Sequence, residues 1–141
     1  MPEPERATSG AVRAHPGAEA VAAAAVDSFR AEYGAGPGAP VLVLIAALNE
    51  VDSIAGVVAS IPPAVAGLPA ECLVSDDGST DGTAEKARAA GVLVCRLGAN
   101  LGQGRALRVG YRLAGERRPT VIATMDGDGQ FDAAELERLV E

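Results

Sequence analysis

Two carboxylates, Asp126 and Asp128, separated by a single glycine, are the residues of this sequence best placed to do chemistry. They follow an apolar stretch over 120–125 that reads as a buried strand. In extended backbone, residues i and i+2 point the same way. Carboxylates held like that repel each other unless a cation lies between them. Hard oxygen ligands suit Mg²⁺ or Mn²⁺, which keep positions open for phosphate oxygens. Gln130, two residues on, adds a neutral oxygen. A calcium-loop reading of 126–137 fails, because its sixth position is Phe131 rather than Gly and no helix-like segment precedes it.

A second acidic pair, Asp76–Asp77, opens the run Asp76-Asp77-Gly78-Ser79-Thr80-Asp81-Gly82-Thr83. Acidic side chains there can accept hydrogen bonds from a base N–H or from ribose hydroxyls, while Ser79, Thr80 and Asp81 can cap the helix that follows. A third candidate is Asn100-Leu101-Gly102-Gln103-Gly104-Arg105, at the start of another helix. Backbone N–H groups at Gly104 and the charge of Arg105 would favour an anion there. It is neither a dinucleotide fingerprint, whose third glycine is replaced by Leu107, nor a P-loop, since no Gly-Lys-Ser/Thr follows. Loop and helix-cap duty alone is the competing reading of this segment.

These residues need elements to hold them. The spacing predicts strands over 41–46, 92–97 and 120–125 and one that ends over 72–75, alternating with helices over 53–60, 83–90, 103–114 and 133–140. Four strands with helical crossovers imply an α/β fold with a mostly parallel, Rossmann-like sheet. Ligands of such sheets bind beyond the carboxyl ends of the strands. Asn49 and Glu50, Asp76 and Asp77, Asn100 and Gly102, and Asp126 and Asp128 all fall at those ends. Residues 1–40 read as an N-terminal extension, partly disordered at its start, with a helix over 18–33 and a linker over 34–40. Residues 41–141 read as the functional domain.

Composition narrows the partners. A net charge of −7 argues against a nucleic-acid binder. It also means that a diphosphate must be met by a cation, a helix start or a local Arg. Cys72 and Cys95 sit in apolar stretches and read as buried free thiols. No stretch approaches the roughly 20 apolar residues of a membrane helix, and the Ala-rich segment after Gly17 does not read as a signal peptide. Cytoplasmic residence is the expectation, with a peripheral position at the cytoplasmic membrane as its variant.

At these motifs the chain resembles glycosyltransferase family 2, and within it the dolichol-phosphate mannose synthase-like branch. The matching residues are Ala46-Ala47-Leu48-Asn49-Glu50-Val51, the run from Asp76 to Thr83, Asn100-Leu101-Gly102-Gln103-Gly104 and Asp126-Gly127-Asp128-Gly129-Gln130-Phe131. The family usually has Pro at 46, Glu at 51, Val at 75 and His at 131, so Ala46, Val51, Ser75 and Phe131 are departures. None removes a proposed ligand. The resemblance implies a GT-A nucleotide-diphospho-sugar transferase half-domain. Ala47, Leu48, Asn49, Glu50, Asp76 and Asp77 would contact the nucleoside, and Asp126, Asp128 and Gln130 would hold Mg²⁺ or Mn²⁺ against the diphosphate. It implies inverting transfer from a nucleotide-diphosphate sugar, with a polyprenyl phosphate as one acceptor. The acceptor-side catalytic residues are expected beyond Glu141, so the chain alone is expected to show no appreciable transfer. A nucleotide-sugar-binding module or an inactive fragment is the alternative. Leu136, Leu139 and Val140 are expected to be liable to exposure and association at the C-terminal end.

Overall fold

The computed structural model describes residues 17–128 and 133–140. The elements run α1 (Ala18–Tyr33), β1 (Val41–Ala47), α2 (Ile54–Ala59), β2 (Ala64–Val65), β3 (Leu68–Asp76), α3 (Thr83–Ala89), β4 (Leu93–Arg96), α4 (Gln103–Glu116), β5 (Val121–Asp126) and α5 (Ala133–Val140). The expected α/β architecture is present, and most boundaries fall within one or two residues of those read from the sequence.

Every residue of β1 is buried, as a strand covered on both faces must be. It pairs in parallel with β3 on one side, Val43 opposite Cys72, and with β5 on the other, Val43 opposite Ala123. β4 adds in parallel to the far side of β3. The order is therefore β4-β3-β1-β5. Successive β1 side chains point to opposite faces. Leu42 and Leu44 join the core under α1 and α4, while Val41, Val43 and Ile45 join Ile54, Val57, Ala84 and Leu136 under α2, α3 and α5.

The sequence reading missed β2. This two-residue strand pairs antiparallel with the start of β3 through a turn at Ala66 (φ 50°) and Gly67 (φ 80°). Two positive φ values match the twist of a tight hairpin, but an alanine in that role carries no sequence signal. The hairpin also sets where β3 begins, at Leu68, a start the sequence left open.

The α1 helix is packed into the sheet's core, with Val26 and Phe29 buried. The Tyr33 hydroxyl accepts a hydrogen bond from the Val94 N–H at 3.1 Å, and Arg30 Nε donates to Glu116 at 3.1 Å. The segment joining α1 to β1 is pinned too: Ala39 N–H donates to Glu71 Oε2, which also pairs with Arg117 at 2.8 Å. Leu136, expected to be liable to exposure, is instead 1% exposed, because α5 packs back onto the sheet. Val140 is half-buried against the same core, and the side chain of Leu139 lies outside the described residues.

Helix α4 lies close to the sheet because Gly110 has no side chain. A Cβ there would sit 2.6 Å from Leu44 Cδ1. Ser75, one of the departures noted above, uses its buried hydroxyl to donate to the Ala106 carbonyl of α4 at 2.7 Å. Both cysteines are free and buried, and burial pushes each thiol up to about 12. Among the described residues, no helix is long and apolar enough to cross a membrane.

Candidate active site

Strand order reverses beside β1, since β3 and β4 lie to one side of it and β5 to the other. A cleft of about 310 Å³ opens there at the carboxyl ends. The backbone ties the strand ends together: Asp77 N–H donates to Ala47 O at 2.9 Å and Gly127 N–H to Ala46 O at 3.1 Å. One wall is Ala47, Leu48 and Glu50, and another is Asp126, Gly127 and Asp128. The start of α4 closes the third side with Gly102, Gln103 and Ala106.

The loop after β1 is laced to the loop after β3. Asn49 adopts φ 54°, its N–H donates to Ser79 Oγ at 2.7 Å, and its Oδ1 accepts from Thr80 N–H at 3.0 Å. Glu50 N–H donates to Thr83 Oγ1 at 2.9 Å and Val51 N–H to Asp81 Oδ2 at 3.2 Å. Ser53 shares its hydroxyl proton between Gly127 O and Glu50 Oε1, joining both walls of the cleft.

Asp76 and Asp77 do different work. Asp77 lines the cleft, and its two oxygens accept from Leu101 N–H at 2.8 Å and Gly102 N–H at 3.1 Å. It thereby holds the loop that delivers α4. Asp76 is fully buried. Its Oδ1 accepts from the Ser79 N–H and hydroxyl, and its Oδ2 has no hydrogen-bond partner among the described residues. Arg96 Nε approaches that oxygen only to 3.7 Å. Burial is the main cause that raises the pKa of both carboxyls above the ordinary range.

The shift of Asp76 has a signed consequence. Its proton is held to higher pH in the folded chain than in the unfolded one. Its contribution to stability therefore falls as pH rises from the ordinary carboxylate range through the raised value, and levels off above it. Asp76→Asn should flatten that slope in urea-denaturation midpoints taken between about pH 4 and pH 7. Taking the difference between wild type and variant removes groups such as Glu116 and Asp81, whose lowered pKa values act in the opposite sense. An identical pH slope in both proteins would contradict this account.

Of the residues expected to form the site, the cleft gathers Ala47, Leu48, Glu50, Asp77, Asp126 and Asp128. Asn49 and Asp76 lie behind its walls, each engaged with the Ser79–Thr80 backbone or side chain. Gly104 and Arg105 are absent from its lining. Arg105 lines a different groove, with Ala22, Arg108, Val109 and Arg112. Gln130 lies outside the described residues. Gln103, inside the third motif, and Ala106 carry no site role in the sequence reading, although helical phase points to both. Positions 103 and 106 share a helix face, and 105 lies nearly opposite 103.

Helix α4 begins without a side-chain cap on Gly102, so its first-turn N–H groups are available to an anion. Across the cleft, Asp126 and Asp128 are both exposed. Among the described residues, no group of three acidic, His or Cys side chains forms a complete metal cage. A carboxylate pair fits a divalent cation that takes its remaining ligands from phosphate and water.

Fold and cleft thus define a doubly wound α/β protein with an acidic ligand cleft at its switch point. The chain belongs to glycosyl transferase family 2, which matches it over residues 42–141. It is 38% identical over 103 residues to an uncharacterized glycosyltransferase of Mycobacterium tuberculosis, covering 73% of this chain and 43% of that protein. It is 37% identical over 98 residues to glucosyl-3-phosphoglycerate synthase of Mycolicibacterium paratuberculosis, covering 64% of this chain and 29% of the relative. The crystal structure of glucosyl-3-phosphoglycerate synthase from M. tuberculosis, in complex with Mn²⁺, UDP and glucosyl-3-phosphoglycerate, superposes with a TM-score of 0.51 at 30% identity. That match covers 72% of this chain and 36% of the other. The chain therefore spans less than half the length of these relatives. They give no support to the narrower dolichol-phosphate mannose synthase-like branch.

Proposed function

We propose that this chain supplies the donor-binding part of a metal-dependent glycosyltransferase that uses a nucleotide-diphosphate sugar, with UDP as the first nucleotide to test. The observation that carries this reading is the placement of Asp126 and Asp128 across one cleft from the uncapped start of α4. The donor unit is 41–141, with α1 as a covering helix. Ala47, Leu48 and Glu50 form the wall against which the nucleoside lies. Asn49, Asp76 and Asp77 hold that wall and the loop before α4 in place. The first-turn N–H groups of α4, beside the lining residues Gly102 and Gln103, face the diphosphate. Asp126 and Asp128, with Gln130 following in sequence, hold Mg²⁺ or Mn²⁺. The bound cation supplies charge neutralisation for a departing nucleoside diphosphate.

The acceptor class we place first is a small phosphorylated hydroxy acid, because the related M. tuberculosis synthase was crystallised with its glucosyl-3-phosphoglycerate. Polyprenyl phosphate, implied by the branch resemblance, has no support among these relatives.

Calorimetry with UDP in Mn²⁺ and in EDTA tests the donor site. Binding should weaken at least about tenfold, ~1.4 kcal/mol, without metal. Equal affinity in both buffers would remove the cation from the reading. The acceptor is tested by offering 3-phosphoglycerate or polyprenyl phosphate with labelled UDP-glucose to a protein containing this chain. Transfer to the lipid alone would overturn the acceptor assignment and leave the donor site standing.

A further inference from the structure

The chain is acidic, yet five of its 12 basic residues, Arg105, Arg108, Arg112, Arg117 and Arg118, fall on α4 and just after it. Arg117 is paired with Glu71. Arg112 lies near Glu116, whose carboxylate is already clamped by Arg30. Among the described residues, no carboxylate forms an ion pair with Arg105 or Arg108. Positions 105, 108 and 112 share one face of α4, and like charges at such spacing weaken a helix unless something neutralises them. With Ala22 of α1 and Val109, these three arginines line a groove of about 240 Å³. Arg112 also borders an adjoining hollow lined by Arg118 and Gly115. Among the described residues, the groove shares no lining residue with the acidic cleft.

We infer that this groove is a second anion site, which takes a phosphate group between the guanidinium groups of Arg105, Arg108 and Arg112. Guanidinium forks match the oxygens of a phosphate in pairs, which a single ammonium does not. Val109 and Ala22 give the groove an apolar floor, which strengthens charge pairing above it. Among the described residues, no aromatic ring lines it, so these residues offer no stacking platform of the kind a single-stranded nucleic acid would need. The phosphate has two sources, a soluble phosphorylated compound or a lipid headgroup, and the chemistry of recognition is the same. This inference does not depend on the donor-site reading.

The test uses the full chain in EDTA, with inorganic pyrophosphate as the calorimetric probe. Wild type should bind, and the exposed double variant R108Q/R112Q should bind at least tenfold more weakly with an unchanged melting temperature. R108K/R112K, which keeps charge but loses the fork, should fall between them. Asp126→Asn should bind as wild type does, and tighter binding in that variant would place the anion in the cleft instead, where without metal this carboxylate repels it. Absent binding, or equal binding by wild type and R108Q/R112Q, would also overturn the inference. Flotation with phosphatidylglycerol and phosphatidylcholine vesicles separates the sources. Arginine-dependent flotation with the anionic vesicles alone assigns the site to a headgroup. Pyrophosphate binding without flotation assigns it to a soluble compound.

Discussion

Asp128→Ala should lower the affinity for UDP in Mn²⁺ by about 100-fold, ~2.7 kcal/mol, and cause no loss of affinity in EDTA, where removing a repelling carboxylate can only help the diphosphate. The reason is charge. Glu50, Asp77, Asp126 and Asp128 all border the cleft, so a bare diphosphate meets four acidic side chains. A cation held by the pair reverses the sign of that encounter, and one carboxylate holds it far less well than two. Asp128 is exposed, and a melting temperature taken beside the calorimetry tells loss of the cation from loss of the fold. Calorimetry in the two buffers separates the outcomes. A loss of equal size in EDTA would show that Asp128 acts on the nucleotide or the fold directly, and no loss in Mn²⁺ would sink its role as a ligand.

Gly78→Ala should cost roughly 3 kcal/mol of stability and lower the melting temperature by about 10 °C. Gly78 has φ 79°, a region that side chains disfavour. A Cβ there would also lie 2.5 Å from the Ala99 carbonyl carbon and 2.7 Å from Asn100 N. Those are backbone atoms, which cannot rotate away as a side chain can. The displaced segment leads straight into Leu101 and Gly102, held by Asp77, so UDP binding should weaken as well. Gly91→Ala is the matched control. Gly91 has φ 88° with open space around it, so only the backbone preference is lost, about 1 kcal/mol. Similar melting temperatures for the two variants would show that the contact between the 78 and 99–100 segments does not hold the cleft.

Much of this molecule was legible along the chain. The unbroken apolar run before Leu48 marks a strand covered on both faces, and the alternation with helical segments marks a parallel sheet. The placement of polar residues at the strand ends locates the cleft, because in a parallel sheet those ends all lie on one side. Asp126-Gly127-Asp128 was legible as an acidic pair at a strand end, and both residues border the cleft, although the strand stops at Asp126 and Asp128 lies in the turn that follows.

What remained hidden depends on contacts between segments distant in sequence. Asp76 and Asp77 are adjacent and chemically identical, yet one is buried beneath Ser79 and the other clamps the 101–102 backbone. Nothing in their own neighbourhood predicts which partner arrives. Asn49 turns to Thr80 because the two loops meet above the β1–β3 pair. Arg105 follows the right motif for the cleft, but α4 packs with Gly110 against Leu44 and carries Arg105 into the opposite groove. Local pattern specifies period and strand end, because these follow from backbone geometry. Which face of a helix or loop meets the ligand follows from packing against the sheet, and that exists only once the chain has folded.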